Sequence, residues 1–140
     1  MSTHYTAPSQ LPTRAAARSL SFLRAFSLLS VLNILFQGVT AGRILMDSGD
    51  ALVFHQAGAI ALHVLAGLAM IAAGQYWRST RGAIWPLIVT TSVFIASFVQ
   101  AAYGSQRTLY VHVPLALGLL FGATLTLSWA WIGTKDDHLS

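Results

Sequence analysis

Three histidines lie inside apolar stretches of the chain, and they are the side chains with the clearest capacity for chemistry. His55 and His63 belong to the run 51–73, and His112 lies near the start of another run, 109–131. Ionisable side chains within a membrane span are costly, and they usually mark a cofactor, a proton path or a buried polar contact. Imidazole nitrogens are also ligands for haem iron and for transition metals. The partners of these histidines therefore decide the function.

The composition is that of an integral membrane protein. Of the 140 residues, 55% are hydrophobic and only 9% are charged. The net charge of +4 comes from scattered basic residues without the clusters that nucleic-acid binding requires, so we expect no nucleic-acid partner. The chain has no cysteine, which excludes disulfides, iron–sulfur clusters, thiolate-bound haem and covalent haem attachment. Any metal must therefore be bound by His, Met or oxygen atoms.

Four apolar runs predict an all-α fold, an antiparallel four-helix bundle within the lipid bilayer, with up-down-up-down topology. The predicted spans share one bundle of residues 20–133 and cover residues 22–41, 51–73, 83–103 and 109–131. Polar residues 1–19 are predicted to be an N-terminal tail, and residues 134–140 a C-terminal tail.

The basic residues predict the orientation of this bundle. Most of them lie before span one, between spans two and three, or after span four: Arg14, Arg18, Arg24, Arg78, Arg81 and Lys135. The opposite side has only Arg43 and Arg107, beside Asp47 and Asp50. The positive-inside rule then places both termini in the cytoplasm.

This topology places one polar residue of each span at the same depth, near the outer end: Gln37, His55, Gln100 and His112. The order Gln then His recurs in each half of the chain, which favours a parallel repeat. Two histidines at one depth on parallel helices are the arrangement that binds a haem edge-on, with one axial ligand from each imidazole. The face of span two below His55 is made mostly of Gly and Ala, and we expect a porphyrin to fit against it.

His63 lies about 80° around the helix from His55, so the two cannot share one haem edge. Span one has a polar stripe that must face the interior of the bundle: Ser27, Ser30, Asn33 and Gln37. Asn33 lies at about the depth of His63, so we expect a hydrogen bond between them or a contact with a haem edge. His63 in place of His55 as the axial ligand is the alternative.

The four-span unit, with histidines that begin spans two and four, resembles one half of the haem A synthase family. It is also similar to small four-span membrane proteins of the cytochrome b561 type and of actinobacteria. In the synthase family an acidic residue stands three positions before the first histidine and an Arg follows it, whereas this chain has Leu52 and Gln56. The resemblance therefore implies haem b binding and one-electron transfer in a bacterial inner membrane, without oxidation of the haem. It implies a quinol, a periplasmic protein or a respiratory complex as redox partner.

In this interpretation the site has no catalytic residues, and the protein is an electron carrier or accessory subunit rather than an enzyme. His55 and His112 are the ligands, and Gln37 and Gln100 hydrogen-bond an imidazole or a propionate. At the outer rim, Arg43 and Arg107 are predicted to bind the anionic propionates.

Two other hypotheses remain open at the level of sequence. One is a non-catalytic accessory or small-molecule-binding subunit, in which the histidines and glutamines form a buried hydrogen-bond network. The other is a copper or zinc site that uses His55, His63, His112 and Met70. A homodimer is a further expectation, because the small bundle has glycine-rich faces.

Overall fold

The computed structural model describes residues 13–46 and 49–132, apart from the side chain of Gln106. The described chain is all-helical, as predicted, with a 3-10 turn at Gln106–Thr108 and four α-helices: α1 Arg14–Leu45, α2 Ala51–Thr80, α3 Trp85–Ala102 and α4 Leu109–Trp131. All four α-helices are long and apolar enough to cross a membrane. The C-terminal tail, Asp47 and most of the predicted N-terminal tail lie outside the described residues.

Helix α1 begins inside the predicted N-terminal tail. The Thr13 hydroxyl caps it and accepts a hydrogen bond from the Ala16 amide at 3.3 Å. Alanine is the best helix former, so the three alanines that follow Arg14 continue the helix. Residues 14–19 are therefore helical, and Ala16 is buried. Helix α2 likewise continues beyond its predicted apolar run to Thr80.

The four helices contact one another in a ring. Helix α1 packs on α2, α2 on α3, α3 on α4 and α4 on α1. Within the described chain, no Cα atoms of α1 and α3, or of α2 and α4, lie within 8 Å of each other. Opposite helices therefore meet across the interior through side chains alone.

Two clusters of small and branched residues fill that interior. One contains Ile34, Leu62, Ala66, Val93, Leu119 and Ala123. The other contains Leu23, Ala69, Ala72, Ala73 and Ala130. Small residues allow helix backbones to approach closely. The resulting van der Waals contacts stabilise the association of helices in lipid. The polar stripe of α1 faces inward as predicted, with Ser27 and Ser30 each 2% exposed.

The inward faces of the two halves of the chain follow one pattern. Four buried positions of α1 correspond to buried positions of α3 that lie 63 residues later in the chain: Leu23, Ser27, Ser30 and Ile34 correspond to Pro86, Thr90, Val93 and Ser97. Four buried positions of α2 correspond in the same way to positions of α4 that lie 57 residues later: Leu62, Ala66, Ala69 and Ala73 correspond to Leu119, Ala123, Thr126 and Ala130. The same separations relate Gln37 to Gln100 and His55 to His112. The repeated Gln–His order is therefore part of a longer repeat of buried positions.

Candidate functional site

His55 and His112 meet in the interior, between the opposite helices α2 and α4. Their ring centroids lie 6.2 Å apart, and the ring planes are inclined by 47°. Both residues are half-buried. Because the backbones of α2 and α4 are well separated, the two imidazoles bridge the interior from opposite sides.

Thr40, on α1, positions the ring of His55. Its Oγ1 lies 2.9 Å from His55 Nδ1 and 3.0 Å from the carbonyl oxygen of Gln37. The Thr40 hydroxyl either donates to the Gln37 carbonyl and accepts from Nδ1–H of His55, or donates to an unprotonated Nδ1. The first arrangement has the proton on Nδ1 and leaves the lone pair of Nε2 free to bind a metal.

The backbone of α3 positions the ring of His112. The Gln100 carbonyl oxygen lies 3.0 Å from His112 Nδ1, and a carbonyl can only accept, so Nδ1 is the protonated nitrogen here. Helix α3 ends at Ala102, and the last carbonyls of a helix have no partner within it. The end of α3 thus supplies the acceptor that fixes the tautomer of His112.

Two imidazoles that each have Nδ1 in a hydrogen bond are suited to bind one metal atom through Nε2. Ligating histidines almost always donate their second ring N–H to a carbonyl, a carboxylate or water, which fixes the ring and raises its basicity. With metal–nitrogen bonds of about 2 Å, two imidazoles on opposite sides of one ion have ring centres about 6 Å apart. The observed 6.2 Å agrees with that spacing.

The described residues contain no group of three or more His, Cys, Asp or Glu side chains that could hold an ion. His55, His63 and His112, predicted with Met70 as an alternative copper or zinc site, therefore do not form a group of three in the described chain. A metal bound by the His55–His112 pair alone would require further ligands, and a porphyrin would supply four.

The side chain of Gln100 has an unusual environment. Its Oε1 atom is buried and has no hydrogen-bond partner among the described residues. Buried polar atoms in proteins almost always have a partner, either protein or water. An amide without one, on the residue that anchors His112, is a group available to a bound molecule.

Gln37 and Asn33 bind the backbone of α2 and not an imidazole. Gln37 Nε2 donates to the His55 carbonyl at 2.9 Å, and Asn33 Nδ2 donates to the Gly58 carbonyl at 2.9 Å. The predicted hydrogen bond from a glutamine side chain to an imidazole does not form, since Thr40 and the Gln100 carbonyl take that role. Thr40 was not among the predicted site residues, although it lies one helical turn after Gln37.

His63 lies apart from the histidine pair. Its Nδ1 is 2.8 Å from Ser97 Oγ, and its ring stacks on Phe98 with centroids 4.2 Å apart. The predicted hydrogen bond between Asn33 and His63 does not form, because both groups have other partners. Ser97, which was not predicted from the sequence, links His63 to α3.

The small-residue face below His55 is covered by protein. A Cβ on Gly58 would lie 2.6 Å from Gln37 Oε1, so α1 occupies that position. The next residues of this face, Leu62 and Ala66, are in the core cluster with residues of all three other helices. Below His55 the small residues of this face therefore serve helix packing in the described chain, and the porphyrin contact expected there stays a prediction.

The two arginines predicted at the rim are both outside the interior. Arg43 forms an ion pair with Asp50 at 3.0 Å, and these side chains are 53% and 64% exposed. Arg107 is exposed in the 3-10 turn. Arg43 is thus engaged by a carboxylate of its own hairpin.

Comparisons with protein-family models, with curated protein sequences and with solved structures find no match. The function is therefore inferred from three features of the chain itself. These are four helices of membrane-spanning length, the anchored histidine pair and the unpartnered amide of Gln100.

Proposed function

We propose that this protein binds one haem b through His55 and His112 and serves one-electron transfer in a membrane. The histidine pair is the observation that supports this function. Each imidazole has Nδ1 in a hydrogen bond, each has Nε2 available, and the ring centroids are 6.2 Å apart. The pair has the donor set of bis-histidine haem ligation.

The same proposal includes an antiparallel up-down-up-down bundle in a bacterial inner membrane, with both termini in the cytoplasm. Contacts between successive helices support it, and so do two polar contacts. Gln37, late in α1, binds the backbone of His55, early in α2. Arg24, early in α1, donates to the Ala130 carbonyl, late in α4, at 2.7 Å. The excess of basic residues on the side of the termini supports the orientation.

Within this function the protein supplies ligands, orientation and exclusion of water. Thr40 and the Gln100 carbonyl orient the two imidazoles, and an acceptor on Nδ1–H makes Nε2 a stronger ligand. Leu62 and Leu119, each seven residues after a histidine, are buried in one cluster and close the interior below the pair. A bound haem supplies a metal centre that gains and loses one electron. Since the pair lies near the proposed outer face, the expected partner is a quinol, a periplasmic protein or a respiratory complex.

A second candidate function is that of an accessory subunit without a cofactor. Its support is the hydrogen-bond network, since Asn33, Gln37, Thr40 and Ser97 all have partners within the chain. Such networks fix the register of neighbouring helices, and each interhelical hydrogen bond contributes about 0.6 kcal/mol to stability. The unpartnered Gln100 amide is the feature that this alternative leaves without a role.

Absorption spectra of the full-length protein test the choice. The protein is expressed with ample haem, purified in detergent, and measured oxidised and after reduction with dithionite. We expect a Soret band and a sharp alpha band in the wild type. In His55→Ala and His112→Ala the sharp alpha band should be lost, either with the haem itself or through a change of the iron to high spin. His63→Ala is the matched control, since it removes the same side chain from α2, and it should keep both bands. A colourless wild-type protein would overturn haem binding and favour the accessory subunit.

A further inference from the structure

A separate cavity opens at the opposite end of the bundle from the histidine pair. It lies between the first turns of α1 and the last turns of α2 and has a volume of about 550 Å³. Arg18, Ser19 and Phe22 of α1 face Gln75 and Arg78 of α2 across it. Small-molecule sites in proteins have volumes of about 300 to 1,000 Å³, so this cavity is large enough to bind a ligand.

Among the described residues, the lining of the cavity has two cationic groups and no acidic residue. No carboxylate of the described chain lies within 4 Å of Arg18 or Arg78. The ion pair found there joins Arg43 and Asp50. The Arg18 guanidinium lies 5.7 Å from the ring centroid of Phe22, which keeps it beside the cavity. Two guanidinium groups from neighbouring helices are therefore available to one anion.

The position of the cavity along the helices corresponds to the headgroup level of a membrane. Phe22 is 42% exposed on the apolar side, and Arg78 lies beyond the end of the apolar run of α2. At the same end, the ring of Trp129 contacts those of Tyr76 and Trp85 at centroid distances of 5.6 and 5.5 Å. Tyr and Trp concentrate where the hydrocarbon layer meets the headgroups. The cavity therefore connects an apolar surface with a basic one at that boundary.

We propose that this cavity binds the phosphate group of an anionic phospholipid. Arg18 and Arg78 donate charge-assisted hydrogen bonds to the phosphate oxygens, and Phe22 contacts the first carbons of an acyl chain. Basic pockets between transmembrane helices on the cytoplasmic side are typical sites for anionic headgroups. The site is independent of the histidine pair, and it rests on the proposed membrane orientation with both termini in the cytoplasm.

Native mass spectrometry of the full-length protein in detergent tests this site. The protein is titrated with phosphatidylglycerol and with phosphatidylcholine that has the same acyl chains, and inorganic phosphate serves as competitor. We expect phosphatidylglycerol to bind more tightly, and Arg18→Gln and Arg78→Gln each to weaken it about tenfold, as loss of one charge-assisted hydrogen bond predicts. The matched control is Arg81→Gln, which removes the same charge three residues after Arg78. Arg81 lies over the ring of Trp77 and outside the cavity, so phosphatidylglycerol binding should remain at the wild-type level.

Four results would overturn the proposal. Equal binding of the two lipids, or an equal loss in Arg81→Gln, would show attraction to the basic surface as a whole. Displacement of the lipid by millimolar inorganic phosphate would show a site for free phosphate. Binding that appears only in Asp136→Asn/Asp137→Asn would show that the acidic C-terminal tail occupies the cavity.

Discussion

The two helical hairpins, α1–α2 and α3–α4, present the same Gln–His pattern and support their histidines differently. In the first, the Thr40 hydroxyl stands between the His55 ring and the Gln37 carbonyl. In the second, the His112 ring binds the Gln100 carbonyl directly. Both arrangements accommodate a proton on Nδ1, and the carbonyl acceptor requires it for His112. Two histidines in corresponding positions therefore do not require corresponding supporting residues.

Helix length explains the difference. Helix α1 continues for two turns beyond Gln37 to Leu45. The Gln37 carbonyl therefore already accepts a hydrogen bond from a backbone N–H of its own helix. Helix α3 stops two residues after Gln100, which leaves that carbonyl without an intrahelical partner. The first hairpin needs a hydroxyl to reach the imidazole, whereas the second offers a backbone acceptor.

The glutamine side chains differ in consequence. Gln37 joins α1 to the backbone of α2, while Gln100 Oε1 has no partner in the described chain. Each hairpin has one buried polar atom without a partner among the described residues, Ser27 Oγ in the first and Gln100 Oε1 in the second. Gln100 is the one of these two residues that also contacts a histidine ring, through its carbonyl.

Replacement of Thr40 should have the largest effect on stability. Thr40→Val keeps the shape but leaves Nδ1 of His55 without its hydrogen-bond partner, which we expect to cost about 1 to 3 kcal/mol of unfolding free energy. The measurement is reversible unfolding in mixed micelles with increasing SDS. Thr124→Val, an exposed threonine of α4, is the control and should change stability by less than about 0.5 kcal/mol. Equal effects of the two variants would contradict the role of Thr40.

The two glutamines should respond differently to the same substitution. Gln37→Leu removes an interhelical hydrogen bond and should cost about 0.6 to 2 kcal/mol of unfolding free energy in the haem-free protein. Gln100→Leu removes a buried amide oxygen that has no partner, so it should leave the haem-free protein equally stable or more stable. The same SDS unfolding experiment compares them. A large loss in Gln100→Leu without haem would show that the amide is satisfied in the haem-free state.

The ion pair of the first hairpin should have the smallest effect. Arg43 and Asp50 are both exposed, and such pairs contribute about 0 to 1 kcal/mol, less in high salt. Arg43→Gln should therefore shift the unfolding free energy by less than about 0.5 kcal/mol, with Arg107→Gln in the second hairpin as control. Neither variant should change the absorption spectrum. Loss of haem in Arg43→Gln alone would restore Arg43 as a propionate ligand.

The sequence was sufficient to predict the four helices and the proximity of His55 and His112. Apolar runs are a local property of the sequence, and the two rings do lie 6.2 Å apart. The supporting contacts depend on where helices end and which faces they bury, and helix ends are uncertain by one or two residues in sequence patterns. The acceptor role of the Gln100 carbonyl follows from the end of α3. The face of α2 around Gly58 is covered because it packs against α1. Small residues permit such helix packing as readily as they permit a cofactor, so the sequence does not distinguish the two.

The proposal that His55 and His112 bind one haem iron is tested by haem content together with iron spin state, measured for the wild type and the single histidine variants. If His55 and His112 bind the same iron, the wild type contains one haem per chain with a six-coordinate, low-spin iron. The variants His55→Ala and His112→Ala then either lose the haem or retain it in a five-coordinate, high-spin state, while His63→Ala keeps the wild-type spectrum. Binding of one iron by both histidines would be contradicted by a His112→Ala protein that keeps one low-spin haem per chain, or by two haems per chain in the wild type.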